Sequence, residues 1–260
     1  MSAPSTTLEI AGNVAHIRFD NPAAYNALTG QMWREMRDHA RAIAADPSIR
    51  VVTFRGVGGK AFVSGTDISG FAKFTDGSDG IAYEHGIDDC MAAVDELPVT
   101  SIAIIDGWAV GGGLNIAAAC DFRIATKDAR FGSPIGRTLG NCLSPMSLQR
   151  IGGAVGVPVA KRMVLLGEII GAEELHKSGF LLDAVERDAL DERVAEICVR
   201  AAENAPLTTR ATKEMLRRMS LENLPEADDI VSQVYGSEDF RRGVEIFLSR
   251  TKALPEWQGR

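Results

Sequence analysis

The sequence predicts an α/β fold, a strand-rich core of about 150 residues followed by a helical C-terminal third. Three observations carry this: apolar–polar alternation near the N-terminus, helix-period apolar spacing after the strands, and glycine-dense turns between strand and helix. No low-complexity linker or short-period repeat interrupts the chain, so it reads as one folded unit. Residues 1–195 form its α/β core and residues 196–260 its helical region.

The segment Asn13-Val14-Ala15-His16-Ile17-Arg18-Phe19 alternates as a half-buried strand does, and it stops at the turn signal Asp20-Asn21-Pro22. Leu28, Met32, Met36, Ala40 and Ile43 then recur every three or four positions, predicting a helix from Thr29 to the stop signal Asp46-Pro47. A strand at 51–55 leads into the glycine-rich loop at 56–60. The polar run Asp76-Gly77-Ser78-Asp79-Gly80 reads as a loop with no core to bury. It precedes a helix at about 81–97, which Pro98 closes. A buried strand at 102–105, a tight glycine segment, a small-residue helix at 114–120 and a strand at 122–126 complete the core. Beyond Pro145, helical spacing recurs at about 159–166, 172–178, 189–203, 208–218 and 237–249.

Composition excludes several classes. The formal charge of −7, from 28 Lys+Arg against 35 Asp+Glu, offers no general attraction to nucleic acid or to an anionic membrane. Hydrophobic residues at 45% and charged residues at 24% exclude a disordered chain, a collagen-like rod and a disulfide knot. The N-terminus lacks the basic and apolar regions of a secretory signal, and no apolar run is long enough to span a membrane, so a cytoplasmic protein without a membrane partner is expected. Cys90, Cys120, Cys142 and Cys198 form no Cys-x-x-Cys pair, and the four histidines have no ligand spacing; reduced, buried cysteines and no metal site are expected. Glycine is the outlier: 26 of 260 residues, roughly 10% where about 7% is ordinary.

Two glycine segments suggest chemistry. In Asp106-Gly107-Trp108-Ala109-Val110-Gly111-Gly112-Gly113-Leu114-Asn115, three consecutive glycines join a buried strand to a helix start. Such a run permits a tight turn or a close approach, and a helix N-terminus offers unpaired NH groups to a phosphate or an oxyanion. Neither Gly-x-Gly-x-x-Gly nor a phosphate-gripping P-loop is present, because Gly59-Lys60 is followed by Ala61. The second segment, Lys60-Ala61-Phe62-Val63-Ser64-Gly65-Thr66-Asp67-Ile68, places another glycine turn after a strand. Two such turns that converge would give one oxygen two NH donors.

At these residues the sequence resembles the enoyl-CoA hydratase/isomerase, or crotonase, superfamily over nearly its whole length. The run from Ala61 to Ile68 is similar to the family's first oxyanion-hole motif, and Asp106 to Gly113 to its second. Further matches are Cys120-Asp121-Phe122-Arg123-Ile124-Ala125, Phe131-Gly132-Ser133-Pro134, Ala172-Glu173-Glu174 with Gly179-Phe180, and Phe247-Leu248-Ser249-Arg250. The resemblance implies a crotonase-like superhelix of β-β-α turns with a helical C-terminal trimerisation region, an acyl-CoA substrate and no metal or redox cofactor. It implies a homotrimer or a dimer of trimers. Ser64 NH and Gly112 NH would hold the thioester oxygen. The CoA would lie near the Lys60-Ala61-Phe62-Val63 turn, with Asp67, Ile68 and Gly111 beside it and Phe247, Arg250 and Lys252 helping, all three from the same or a neighbouring subunit.

The sequence departs from the family at the acid–base positions. Hydratases of this family carry one glutamate two residues after the glycine triple and one after the proline of Phe-Gly-x-Pro; here these are Asn115 and Ile135. An amide and an alkyl group cannot exchange protons at neutral pH, so two-glutamate hydration is not expected. Asn115 is expected in the pocket as a catalytic residue that hydrogen-bonds a substrate or an attacking water; Ile135, Arg137, Asn141, Cys142 and Ser144 are expected to line the acyl pocket, while Asp67 reads as a turn cap. On the helix after the polar run, Glu84 and Asp88 share one face and His85 and Asp89 another; these groups are candidates to replace the missing glutamates, although the run reads most simply as a solvated acidic surface. An acyl-CoA lyase or isomerase working by enolate stabilisation is expected. Decarboxylation of a malonyl-type thioester, thioester hydrolysis and a non-catalytic CoA-binding subunit stay open as alternatives; RNA binding gains nothing from the net charge.

Overall fold

The computed structural model describes residues 3–222, 224–249 and 257–258. β1 (Ser5–Ala11) and β2 (Val14–Asp20) pair antiparallel, with Ala15, Ile17 and Phe19 of β2 fully buried. α1 (Gly30–Ala45) begins where the Thr29 hydroxyl accepts the Met32 NH, and buries Met32, Trp33, Met36, Ala40 and Ile43.

From there the chain repeats one move: a strand in a long sheet, a short strand in a second sheet, then a helix returning to the first. β3 (Val51–Gly56), β4 (Ala61–Val63) and α2 (Gly77–Asp95) form one turn. β5 (Thr100–Ile105), β6 (Trp108–Val110) and α3 (Gly112–Ala119) form the next. β7 (Phe122–Thr126) and β8 (Arg130–Gly132) lead into α4 (Ile135–Thr138), α5 (Pro145–Val155) and α6 (Val157–Leu165). β9 (Ile170–Gly171), α7 (Ala172–Lys177) and β10 (Asp183–Val185) close the stack. The long sheet has the order β1-β2-β3-β5-β7-β10 and the short one β4-β6-β8-β9. All pairings are parallel except β1–β2 and β8–β9. Parallel neighbours require a crossover, which the helices supply. This is the expected superhelix of β-β-α turns, and β5, covered on both faces, is buried at all six positions.

Among the described residues four helices follow: α8 (Leu190–Ala202), α9 (Pro206–Leu221), α10 (Asp228–Tyr235) and α11 (Glu238–Leu248). α8 lays Leu190, Val194, Ile197 and Cys198 on Val51, Ile102, Ile104 and Ile124 of the long sheet. The division expected between residues 195 and 196 therefore cuts a helix that belongs to the core. α10 instead folds back over α2, and α11 over residues Ile68–Lys73, with Val231, Tyr235, Phe240 and Val244 packed on Ile68, Phe71 and Leu139.

That return corrects the reading of residues 76–80. They are no loop but the first turn of α2, opened by Asp76 and Asp79 in a reciprocal capping box. Gly77 and Gly80 are buried because α10 crosses them: a Cβ on Gly77 would lie 2.1 Å from the Ser232 carbonyl oxygen, and one on Gly80 2.2 Å from Tyr235 Cγ. Gly80→Ala should therefore destabilise the protein by about 1–3 kcal/mol, because overpacking outweighs the roughly 1 kcal/mol that alanine gains in a helix. Urea unfolding of the variant against the parent measures it.

Candidate active site

The two glycine turns meet through their backbones. A Cβ on Gly113 would lie 2.0 Å from the Val63 carbonyl oxygen, and one on Gly107 2.0 Å from that of Lys60. Gly65, with φ 125°, and Gly111, with φ 54°, take conformations that side chains resist. Gly112 opens α3, so its NH is one of the first-turn donors that a helix cannot satisfy internally. The Ser64 NH is already engaged, donating to the Tyr25 carbonyl at 3.1 Å, and its hydroxyl donates to the Ala24 carbonyl at 3.2 Å. Thr66 pins the first turn by accepting from Trp33 Nε1 at 3.3 Å and from the Tyr83 hydroxyl at 3.1 Å.

Both turns line one cavity of about 200 Å³. Its apolar wall includes Trp33, Ile68, Phe71, Ile87, Leu139 and Leu143, with half-exposed Phe247 from α11 of the same chain. Ser64, Gly111, Gly112, Asn115, Ile135 and Asn141 also line it. The Asn141 amide nitrogen donates to the Tyr235 hydroxyl at 3.3 Å, while its Oδ1 is buried without a partner among the described residues.

Other expected contacts fall elsewhere. Ala61, Phe62 and Val63 form strand β4, not a turn, and their side chains are buried in the core, where Phe62 meets Phe19 edge-on. The turn itself is residues 57–60, and it leaves Lys60 exposed. Asp67 is exposed and accepts the Ser69 NH at 2.9 Å, the capping role its position suggested. Arg137 is exposed on α4 and does not line the cavity. Arg250 and Lys252 lie outside the described residues.

Asn115 is 3% exposed and held on both sides of its amide. Its Nδ2 donates to Ser147 Oγ at 3.0 Å and its Oδ1 accepts from Arg150 Nη1 at 3.0 Å. Arg150 also grips Asp95, with Nη2 donating at 2.6 Å. The polar chain continues: the Ser147 NH donates to Ser144 Oγ at 3.1 Å, and that hydroxyl donates to Asp88 at 2.8 Å.

Glu84 ends this chain, and its burial corrects the simpler reading of a solvated face. His85 and Asp89 do point outward, pairing with Asp228 and with Arg37 and Arg41. Glu84 points inward, 3% exposed, and lines the cavity. Its carboxylate accepts the Tyr235 hydroxyl at 2.5 Å and the Ser144 NH at 3.0 Å. Burial pushes its pKa up to about 7, against the smaller opposing pull of those two donors. The signal that would have found it is periodicity: Glu84 shares a helix face with Ile87, Met91 and Val94, all buried. Cys142 is no thiolate, because burial holds its pKa up at about 12. Among the described residues, no three metal-ligating side chains cluster, and no helix is long and apolar enough to cross a membrane.

Two outcomes follow from these contacts. A carboxyl group whose pKa is 4.5 unfolded and about 7 folded adds stability below the first value and loses it as pH rises through the second. Glu84→Gln should therefore flatten the decline of unfolding free energy between pH 4.5 and 7, read from urea titrations across that range. Arg150→Leu should cost about 2–3 kcal/mol, less than the roughly 3–5 for a fully buried pair because Asp95 keeps some solvent contact. Its unfolding midpoint against the parent checks this.

Residues 9–260 match the family described as enoyl-CoA hydratase/isomerase. The (E)-benzylidenesuccinyl-CoA hydratase of Thauera aromatica is 34% identical over 219 residues, 80% of each chain. The short-chain-enoyl-CoA hydratase of Clostridium acetobutylicum is 30% identical over 258 residues, 97% of each chain. Among solved structures, an enoyl-CoA hydratase/carnithine racemase from Magnetospirillum magneticum superposes with a TM-score of 0.80 at 31% identity, covering 100% of this chain and 97% of that one. A methylmalonyl-CoA decarboxylase complex superposes at 0.89 over 100% of both chains, at 22% identity a likeness of fold alone. On the family match over nearly its whole length, on these relatives and on the β-β-α superhelix, the chain belongs to the enoyl-CoA hydratase/isomerase family.

Proposed function

We propose that this acyl-CoA-processing enzyme holds the thioester oxygen of its substrate at the NH groups of Gly112 and Ser64 and stabilises the enolate that forms there. The observation that carries the reading is the backbone contact of two glycine turns on the wall of an apolar cavity, with the open end of α3 among its lining. Gly112 supplies a donor with no partner among the described residues. Ser64 shares its NH with the substrate or exchanges the Tyr25 carbonyl for it, a change confined to an exposed residue already in a left-handed conformation. CoA recognition falls to the exposed Lys60 and to Phe247, and the chemistry uses no metal or redox cofactor.

The reaction belongs to the lyase and isomerase chemistry of the family but not to two-glutamate hydration. Asn115 is an amide locked between Arg150 and Ser147, and Ile135 is an alkyl group; neither carries a proton. Decarboxylation of a malonyl-type thioester is a second reading favoured by the same two residues, since loss of CO₂ leaves an enolate without proton abstraction. Assembly as a trimer is part of the proposal, supported by exposed Leu207, Met215, Leu216 and Met219 along α9.

Enoyl-, malonyl- and β-ketoacyl-CoAs incubated with the enzyme and followed by mass discriminate these reactions from thioester hydrolysis and from binding without turnover. Gly112→Pro should lower turnover about 10²–10³-fold, equivalent to about 2.7–4 kcal/mol of barrier. Gly112→Ala, which meets the Trp33 ring at the same 2.8 Å but keeps the NH, should retain more activity than Gly112→Pro. Equal loss in the two variants rejects the donor role.

A further inference from the structure

Glu84 is the only carboxylate among the described residues that line the cavity, and it does so together with Ser64, Gly111 and Gly112. A carboxylate on an apolar wall is unfavourable unless compensated. Here the compensation is partial: one neutral hydroxyl and one backbone NH, each on a different oxygen. A second lone pair on each oxygen stays available. The group is also built in from three separate parts of the chain. α2 carries it, Ser144 caps α5 while donating to it, and Tyr235 reaches it from α10, 151 residues away in sequence. Asn141, itself on the cavity wall, donates to the same Tyr235 hydroxyl.

We propose that Glu84 is the proton-carrying catalytic residue of this cavity, in place of the carboxylates missing at Asn115 and Ile135, with Tyr235 and Ser144 as its positioning residues. The assignment rests on the thioester site proposed above. In its ionised form a Glu84 oxygen takes the proton from the α-carbon of a bound acyl-CoA. The C–H electron pair becomes the new carbon–carbon π bond, and the carbonyl π pair moves onto the thioester oxygen. The reverse step returns the proton from the neutral carboxyl group to the enolate carbon, so no co-reactant is consumed. The pKa near 7 populates both forms at neutral pH, as a group that both takes and gives a proton requires. The groups acting on it are Asp88, which raises its pKa, and His85, which lowers it, on α2. From the other elements it faces the Tyr235 hydroxyl and the Ser144 NH, with the Cys142 thiol coupled to it electrostatically.

The test is deuterium incorporation at the α-carbon of but-3-enoyl-CoA in D₂O, read by mass, with binding of the same ester measured separately. Glu84→Gln, which keeps the shape, can accept the Ser144 NH with its amide oxygen and can donate its amide nitrogen to the Tyr235 hydroxyl, should lower exchange at least about 100-fold and change the dissociation constant by less than about threefold. The parent rate should rise with pH through an inflection near 7. Tyr235→Phe removes a donor that favours the carboxylate, so its inflection should move to higher pH, a shift that a merely structural contact would not produce. Full exchange in Glu84→Gln beside an inactive Gly112→Pro overturns the role of Glu84 and leaves the oxyanion reading standing. A parent that neither exchanges this ester nor consumes any thioester of the panel overturns both.

Discussion

The backbone contact between successive turns of the superhelix is the constraint on which the rest of the structure depends. Three glycines, Gly56, Gly107 and Gly113, each sit where a Cβ would fall about 2 Å from a carbonyl oxygen of the segment from Lys60 to Phe62 or of Val63. Those carbonyls bracket β4, the short strand between the loop and the Ser64 turn. With no side chains to hold them apart, β4 is pressed against β6 and the start of α3, and Phe62 is driven into the core against Phe19. The same contact sets Ser64 and Gly112 on one cavity wall. Rigidity of the two NH groups proposed as donors is thus inherited from packing, which is what electrostatic stabilisation of a developing charge needs.

A second contact, between α2 and α10, closes the cavity. Gly77 and Gly80 allow the two helices to approach within side-chain reach, and Tyr235, Phe71, Phe74, Tyr83 and Phe240 gather into an aromatic cluster with ring centroids from 4.8 to 6.3 Å apart. This cluster takes Glu84 out of water and gives it the Tyr235 hydroxyl in exchange. The polar chain from Asp95 through Arg150, Asn115, Ser147 and Ser144 to Glu84 then runs behind the apolar wall. Asn115 belongs to that chain, which explains an amide on the first turn of α3: its oxygen and its nitrogen satisfy a guanidinium and a hydroxyl at once.

Much of the fold was legible from local pattern. β2, α1, β3, β5, β7 and α8 follow from alternation, helical periodicity and stop signals, and the glycine runs located both turns of the site. The residues that misled share a cause. Asp76 to Gly80 looks like a loop because its glycines are there for a helix more than 150 residues downstream. Ala61 to Val63 looked available to a ligand because their neighbours are turn residues, although their own side chains are core. Arg137 follows the motif proline closely, but a single turn of α4 carries it to the surface.

The sequence by itself determined the α/β class, the two glycine turns and the absence of carboxylates at positions 115 and 135, because each of these is set by residues close in the chain. Only the tertiary structure decided that Glu84 leaves the solvated face of its helix, that Tyr235 and Ser144 hold it, and that Asn115 is bound by Arg150. Burial and hydrogen-bond partners depend on which distant segments arrive at a surface, and two helices crossing at glycines leave no local pattern that says so.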